Sequence, residues 1–222
     1  MSQRLAPSAL FVVLTGCVSG GDGPLGLGPG PCGGWSSLDA EGTTWEYAYT
    51  GDAQGSFTNT ALGERPWEGE DAFALETHGE LQRADYESTW VSVGYFRCDA
   101  EGIWHLGYET SSSMVAGGNV TEITSRAVYT SPDLTHPLSL ELGDTWVSDI
   151  AIELTTNGEV TPQEYTLERE VVEEAELEVA AGVFDAVAIE GRNTTRDYTF
   201  TQWYAQDVGF LMSEGSELVS WE

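Results

Sequence analysis

The sequence predicts an all-β, antiparallel domain, an open barrel or a curved sandwich built from two related halves. Three observations carry this: an apolar periodicity of two, turn residues at short intervals between the periodic runs, and short motifs that recur in the same order in both halves of the chain.

The periodicity is plainest in TWVSDIAIEL (145–154), where Trp146, Ser148, Ile150, Ile152 and Leu154 share one face and Val147, Asp149, Ala151 and Glu153 the other. In TWEYAYT (44–50), Trp45, Tyr47 and Tyr49 alternate with Glu46 and Ala48. Aromatic and β-branched residues suit a pleated, half-buried surface. The turn signals TGDAQGS (50–56), CDAEG (98–102) and TNGE (156–159) punctuate such runs. EREVVEEAELEVA (168–180) alone has a helix-friendly composition, yet it also fits two strands with a break near Ala175 and is read that way. Its acids Glu168, Glu170, Glu173, Glu174, Glu176 and Glu178 are expected on a solvated strand face.

The halves, 42–130 and 143–222, are read as an internal repeat. GTTWEYAYT (42–50) parallels GDTWVSDIA (143–151), each opening Gly-x-Thr-Trp. GEDAFALET (69–77) parallels GVFDAVAIEG (182–191), and YFRCDAEGIW (95–104) loosely parallels WYAQDVGFL (203–211). SPDLTHPLSLELGD (131–144), with two prolines, is the expected connection.

The start of the chain speaks about location. ALFVVL (9–14) is far too short to span a bilayer, which takes about 20 apolar residues. A polar start carrying Arg4, a brief apolar run and small residues at its end describe an export signal. Leu14-Thr15-Gly16-Cys17 resembles the bacterial lipobox at all four positions. The resemblance implies that residues 1–16 are removed, that Cys17 is lipidated, and that the membrane is a partner through acyl chains. Several chains at about 0.8 kcal/mol per buried methylene make a stable anchor. Asp after that cysteine retains members of this group at the inner membrane; Val18 here implies an outer-membrane lipoprotein of the cell envelope in a two-membraned host.

Residues 17–34 are a Gly/Pro-rich tether, reaching about 20–25 Å as a flexible chain, and 35–222 form a single β-rich domain. With Cys17 committed to lipid, Cys32 and Cys98 are left as a pair able to oxidise outside the cytoplasm. Two cysteines carry no spacing signature, so buried free thiols stay an open alternative. In the second half, Ala181-Gly182, Phe184 and Ile189, followed by Trp203-Tyr204-Ala205 and Val208-Gly209, resemble a pattern in uncharacterised β-rich bacterial lipoproteins. That resemblance implies a sheet-rich fold and no activity.

There are 37 acidic residues against 8 basic ones, all arginine, for a formal net charge of −29. Phosphates would be repelled, so nucleic acid is excluded as a partner. His78, His105 and His136 lack the spacing of a zinc site, so no metal is expected, and no cofactor signature is present. No Gly-x-Ser-x-Gly elbow or phosphate loop occurs, and among so many acids a carboxylate pair cannot single itself out. No catalytic residue is nominated. Of eight tryptophans, most are expected in the core; Trp67 and Trp104, near Gly- and Glu-rich turns, are the candidates for binding a ligand. The expected function is non-catalytic binding of an unidentified ligand or partner in the cell envelope. The alternatives are a hydrolase of envelope polymers using a carboxylate pair, or a carrier of a lipophilic molecule.

Overall fold

The structure, a computed structural model, describes Cys32 and residues 38–222. Twelve antiparallel strands follow one another there: β1 Thr44–Tyr49, β2 Gln54–Glu64, β3 Phe73–Gln82, β4 Tyr86–Cys98, β5 Gly102–Ala116 and β6 Asn119–Pro137. Then come β7 Thr145–Thr156, β8 Glu159–Val179, β9 Gly182–Asn193, β10 Tyr198–Ala205, β11 Gly209–Ser213 and β12 Ser216–Trp221. Each strand pairs with its neighbours in sequence, and β12 pairs back onto β1, so the sheet is a closed barrel.

Closure corrects the expected open barrel or sandwich. The seam runs from Trp45↔Trp221 to Tyr49↔Ser216 and is fastened at its end by Thr44 N donating to Glu222 O (2.8 Å) and Glu222 N to Thr44 O (3.1 Å). It joins opposite ends of the chain, a contact that no local pattern carries. Two smaller corrections have local causes. β8 is continuous through Ala175; the irregularity is a bulge between Val171 and Glu173, which turns Val172 outward. β6 runs on through its own bulges to Pro137, so the connection between halves is 138–144 rather than 131–144.

Alternation is otherwise observed as read. Trp146, Ser148, Ile150 and Ile152 are buried while Val147, Asp149 and Glu153 face water, and all eight glutamates of β8, the six named above among them, are exposed.

The recurrent motifs occupy corresponding places, in the first six strands and the last six. Gly42 and Gly143 both sit at positive φ, +92° and +89°, where glycine escapes the side-chain clash. Gly42 N donates to Ala61 O on β2, and Gly143 N donates to Val171 O on β8. Ala61 N and Val171 N return the bond to Thr43 O and Asp144 O. Each of these partners precedes a bulge, after Ala61 in β2 and after Val171 in β8. The aromatic pairs match too: the β4–β5 ladder slips between Tyr95 and Phe96, and the β10–β11 ladder between Trp203 and Tyr204.

The two ends of the barrel differ. One carries the tight hairpins, such as 117–118, 157–158 and 214–215. The other carries the longer loops and most of the aliphatic core, in which Trp45, Tyr47, Leu211 and Leu218 pack with Val179 and Ala205. The 65–72 loop makes its own two-residue turn at Glu68-Gly69 and folds back over the outer face of β3–β6.

Candidate functional site

Inside the barrel, alternation and register bring together groups far apart in sequence. A row of small polar side chains crosses β2 to β7: Asn59, Thr77, Ser92, Thr110, Ser125 and Thr156. Neighbours in it bond to one another, Thr77 Oγ1 to Asn59 Oδ1 at 2.8 Å and the Ser92 and Thr110 hydroxyls at 2.8 Å.

Toward the loop end lies a buried charge pair. Arg169 Nη1 and Nη2 donate to Asp133 Oδ1 and Oδ2 at 2.8 and 2.7 Å, a bidentate match of two planar groups. The same guanidinium reaches Leu134 O at 3.2 Å. Both residues are under 10 % exposed. His105 stacks on Phe96 (4.8 Å between centroids) and leans on Tyr129 (4.7 Å), with its Nε2 buried and unpartnered among the described residues. Burial pushes the Tyr129 phenol up and raises Tyr204 to about 12.

Next to this pair opens a cavity of about 210 Å³. Its walls include Trp45, Tyr47, Leu75, Phe96, Ile103 and Phe210, with Asn59, Thr135, His136 and Tyr204 as polar members. Most donors on the wall are already spent. Trp45 Nε1 donates to Val208 O (2.9 Å), Tyr47 OH to Phe210 O (3.0 Å) and Tyr204 OH to Gln202 Oε1 (3.3 Å). No charged residue lines it. Two larger depressions, of about 470 and 380 Å³, lie on the outer face of the sheet along a row that includes Thr58, Val91 and Ser111. They are lined largely by short side chains, whereas the interior cavity has the aromatic lining that suits a ligand site.

His105 and His136 are neutral in the fold: burial lowers both to about 4, against the opposing pull of Asp133 on His105 and of the Pro137 carbonyl on His136. An unfolded histidine titrates near 6.5. Between about pH 6.5 and 4 the unfolded chain therefore binds more protons than the folded one, and stability falls as pH drops through that window. The urea midpoint is expected to decrease from pH 7 to pH 4.5, with a shallower slope in His105→Phe. A midpoint that stays level or rises toward acid contradicts this.

The residues nominated from sequence lie elsewhere. Cys17 and the segment before it fall outside the described residues. Cys32 and Cys98 are joined in a disulfide, with Cα atoms 4.9 Å apart, packed beside Ile103 and Leu38. Trp67 and Trp104 come together in one cluster on the outer face and not in the cavity. Trp67 is 6 % exposed, stacked on Tyr95 at 4.0 Å with the Arg126 guanidinium over its ring at 4.6 Å. Arg97 lies over Trp104, whose Nε1 donates to Asp99 Oδ1. Trp67 holds the 65–72 loop to the sheet and has little ring left to offer a ligand. Asn59, His136 and Tyr204 had no local signal, because only barrel closure makes them neighbours.

Set against protein families, curated proteins and solved structures, the chain matches none.

Proposed function

We propose that this chain is an exported, lipid-anchored protein of the cell envelope whose barrel binds a small molecule inside, without catalysis. The observation that carries the binding part is the interior cavity, walled by five aromatic side chains and edged by a few fixed polar groups. Smaller than the usual small-molecule site of about 300 Å³ and upward, it shares that site's apolar lining with a few placed polar groups. The anchor rests on Leu14-Thr15-Gly16-Cys17. A hydrolase using two acids finds less support, since the buried carboxylate Asp133 is pinned by Arg169 and no acid lines the cavity. Transport of long acyl chains also fits poorly, because drug-sized pockets begin at about 300 Å³. The equivalent motif positions further support descent of the two six-strand halves from one duplicated unit.

Toluene titrated into the full chain tests the binding part. Heat or NMR shifts are expected with the wild type and are lost in Leu75→Trp, which fills the cavity while the β-sheet circular dichroism is kept. Absence of toluene binding, or equal binding by the filled variant, overturns it. Mass spectrometry of the protein from a lipoprotein-processing host tests the anchor: acyl mass on Cys17 is expected in the wild type and none in Cys17→Ser.

A further inference from the structure

His136 decides what kind of molecule the cavity takes. It is 3 % exposed and lines the cavity wall. Its Nδ1 lies 3.1 Å from Pro137 O. A carbonyl oxygen only accepts, so Nδ1 carries the proton and Nε2 is left as a lone-pair acceptor. Nε2 takes part in none of the side-chain hydrogen bonds described above, and unlike His105 Nε2 it is not sealed away from the cavity space. Opposite in character is Asn59: its Oδ1 is taken by Thr77, and its amide N–H groups have no partner there. The wall thus offers the His136 acceptor, the Asn59 amide donors and the Thr135 hydroxyl in otherwise aromatic surroundings, with the Trp45, Tyr47 and Tyr204 donors satisfied by the protein.

Resting on the binding reading above, we propose that the ligand is a neutral single-ring compound bearing a hydroxyl, a phenol or cyclic alcohol, which donates its proton to His136 Nε2. Size sets the ring: a dry cavity of about 150 Å³ lined by aliphatic and phenyl groups holds benzene, and this one is about 210 Å³. Neutrality follows from the lining. A carboxylate could accept from Asn59 but would bring no donor to His136 Nε2, and it would enter a chain of net charge −29. A cation would find no free countercharge, because Asp133 is already matched by Arg169. An unsubstituted hydrocarbon would fill the space yet cut Nε2 off from water without giving it a donor, which is unfavourable for an acceptor.

The test compares p-cresol, toluene and p-toluate on the full chain by isothermal titration at pH 7.5. The wild type is expected to bind p-cresol about tenfold more tightly than toluene, the ratio that one net hydrogen bond supports, and not to bind p-toluate. In His136→Leu the ratio should fall to about one while toluene binding persists; His136→Gln, which keeps a side-chain acceptor, should retain part of it. Should His136→Leu not fold, the wild-type ratio and the Gln variant decide alone. Equal affinity of the wild type for p-cresol and toluene overturns the hydroxyl assignment and leaves the cavity reading standing. Tighter binding of p-toluate overturns neutrality. If no ring compound binds, both readings fall together.

Discussion

Replacing Arg169 with methionine is expected to destabilise the barrel by about 3–5 kcal/mol, the usual result of stranding one partner of a buried ion pair. Methionine fills much of the space of the arginine stem but cannot answer the Asp133 carboxylate, which is 8 % exposed and takes two hydrogen bonds from the guanidinium. The carbonyl of Leu134 would also lose a donor, though Trp146 Nε1 still reaches it at 3.0 Å. For a domain of this size the melting temperature should fall by on the order of 10 °C. Removing both charges in Asp133→Leu/Arg169→Met should restore most of the loss, since a buried pair replaced by apolar groups is often neutral in effect. Urea denaturation of the single and double variants checks this. A loss under about 1 kcal/mol in Arg169→Met would mean that water reaches Asp133 and that the pair is not sealed.

Opening the Cys32–Cys98 bridge is the second large effect. The bridge closes a loop with a sequence separation of 66, for which the chain-entropy relation gives about 4 kcal/mol. Cys32 is fully buried, and the bridge packs beside Ile103 on β5, next to the cavity wall. Cys32→Ser/Cys98→Ser should therefore melt well below the oxidised wild type. Wild type treated with a strong reductant should fall to the same midpoint. If reductant leaves the midpoint of the wild type unchanged, the bridge carries no stability.

What could be read from the residues divides along a physical line. Strand alternation is local, so Trp45, Tyr47, Trp146 and Ile150 could be placed on an inward face, and the glutamates of β8 on the outward one. Turn chemistry is local as well, which is why hairpins at 51–52 and 157–158 fall where glycine and asparagine stand. Closure is not local: nothing near Trp45 or Trp221 shows that they pair. The site shares that limit. Asp133 and Arg169, 36 positions apart, carry no motif, and nothing in the sequence around His136 indicates that the barrel sets it against Tyr204, with centroids 5.4 Å apart. Trp67 and Trp104 attracted notice through their turns, and those turns fold onto the outside.

Because the last strand completes the ring with the first, the sheet has no free first or last strand, and bare edges remain only where strands overhang their partners, as at 119–124 of β6 and 159–166 of β8. Under the proposed lipid anchor the protein would be concentrated in a plane, where copies collide constantly and an open sheet would recruit its neighbours edge to edge. A closed ring whose overhangs carry Glu122, Glu159, Pro162 and Glu164 gives those neighbours little template. Crowding on a membrane should leave such molecules as separate units, and the threshold for clumping should coincide with unzipping of the β1–β12 seam.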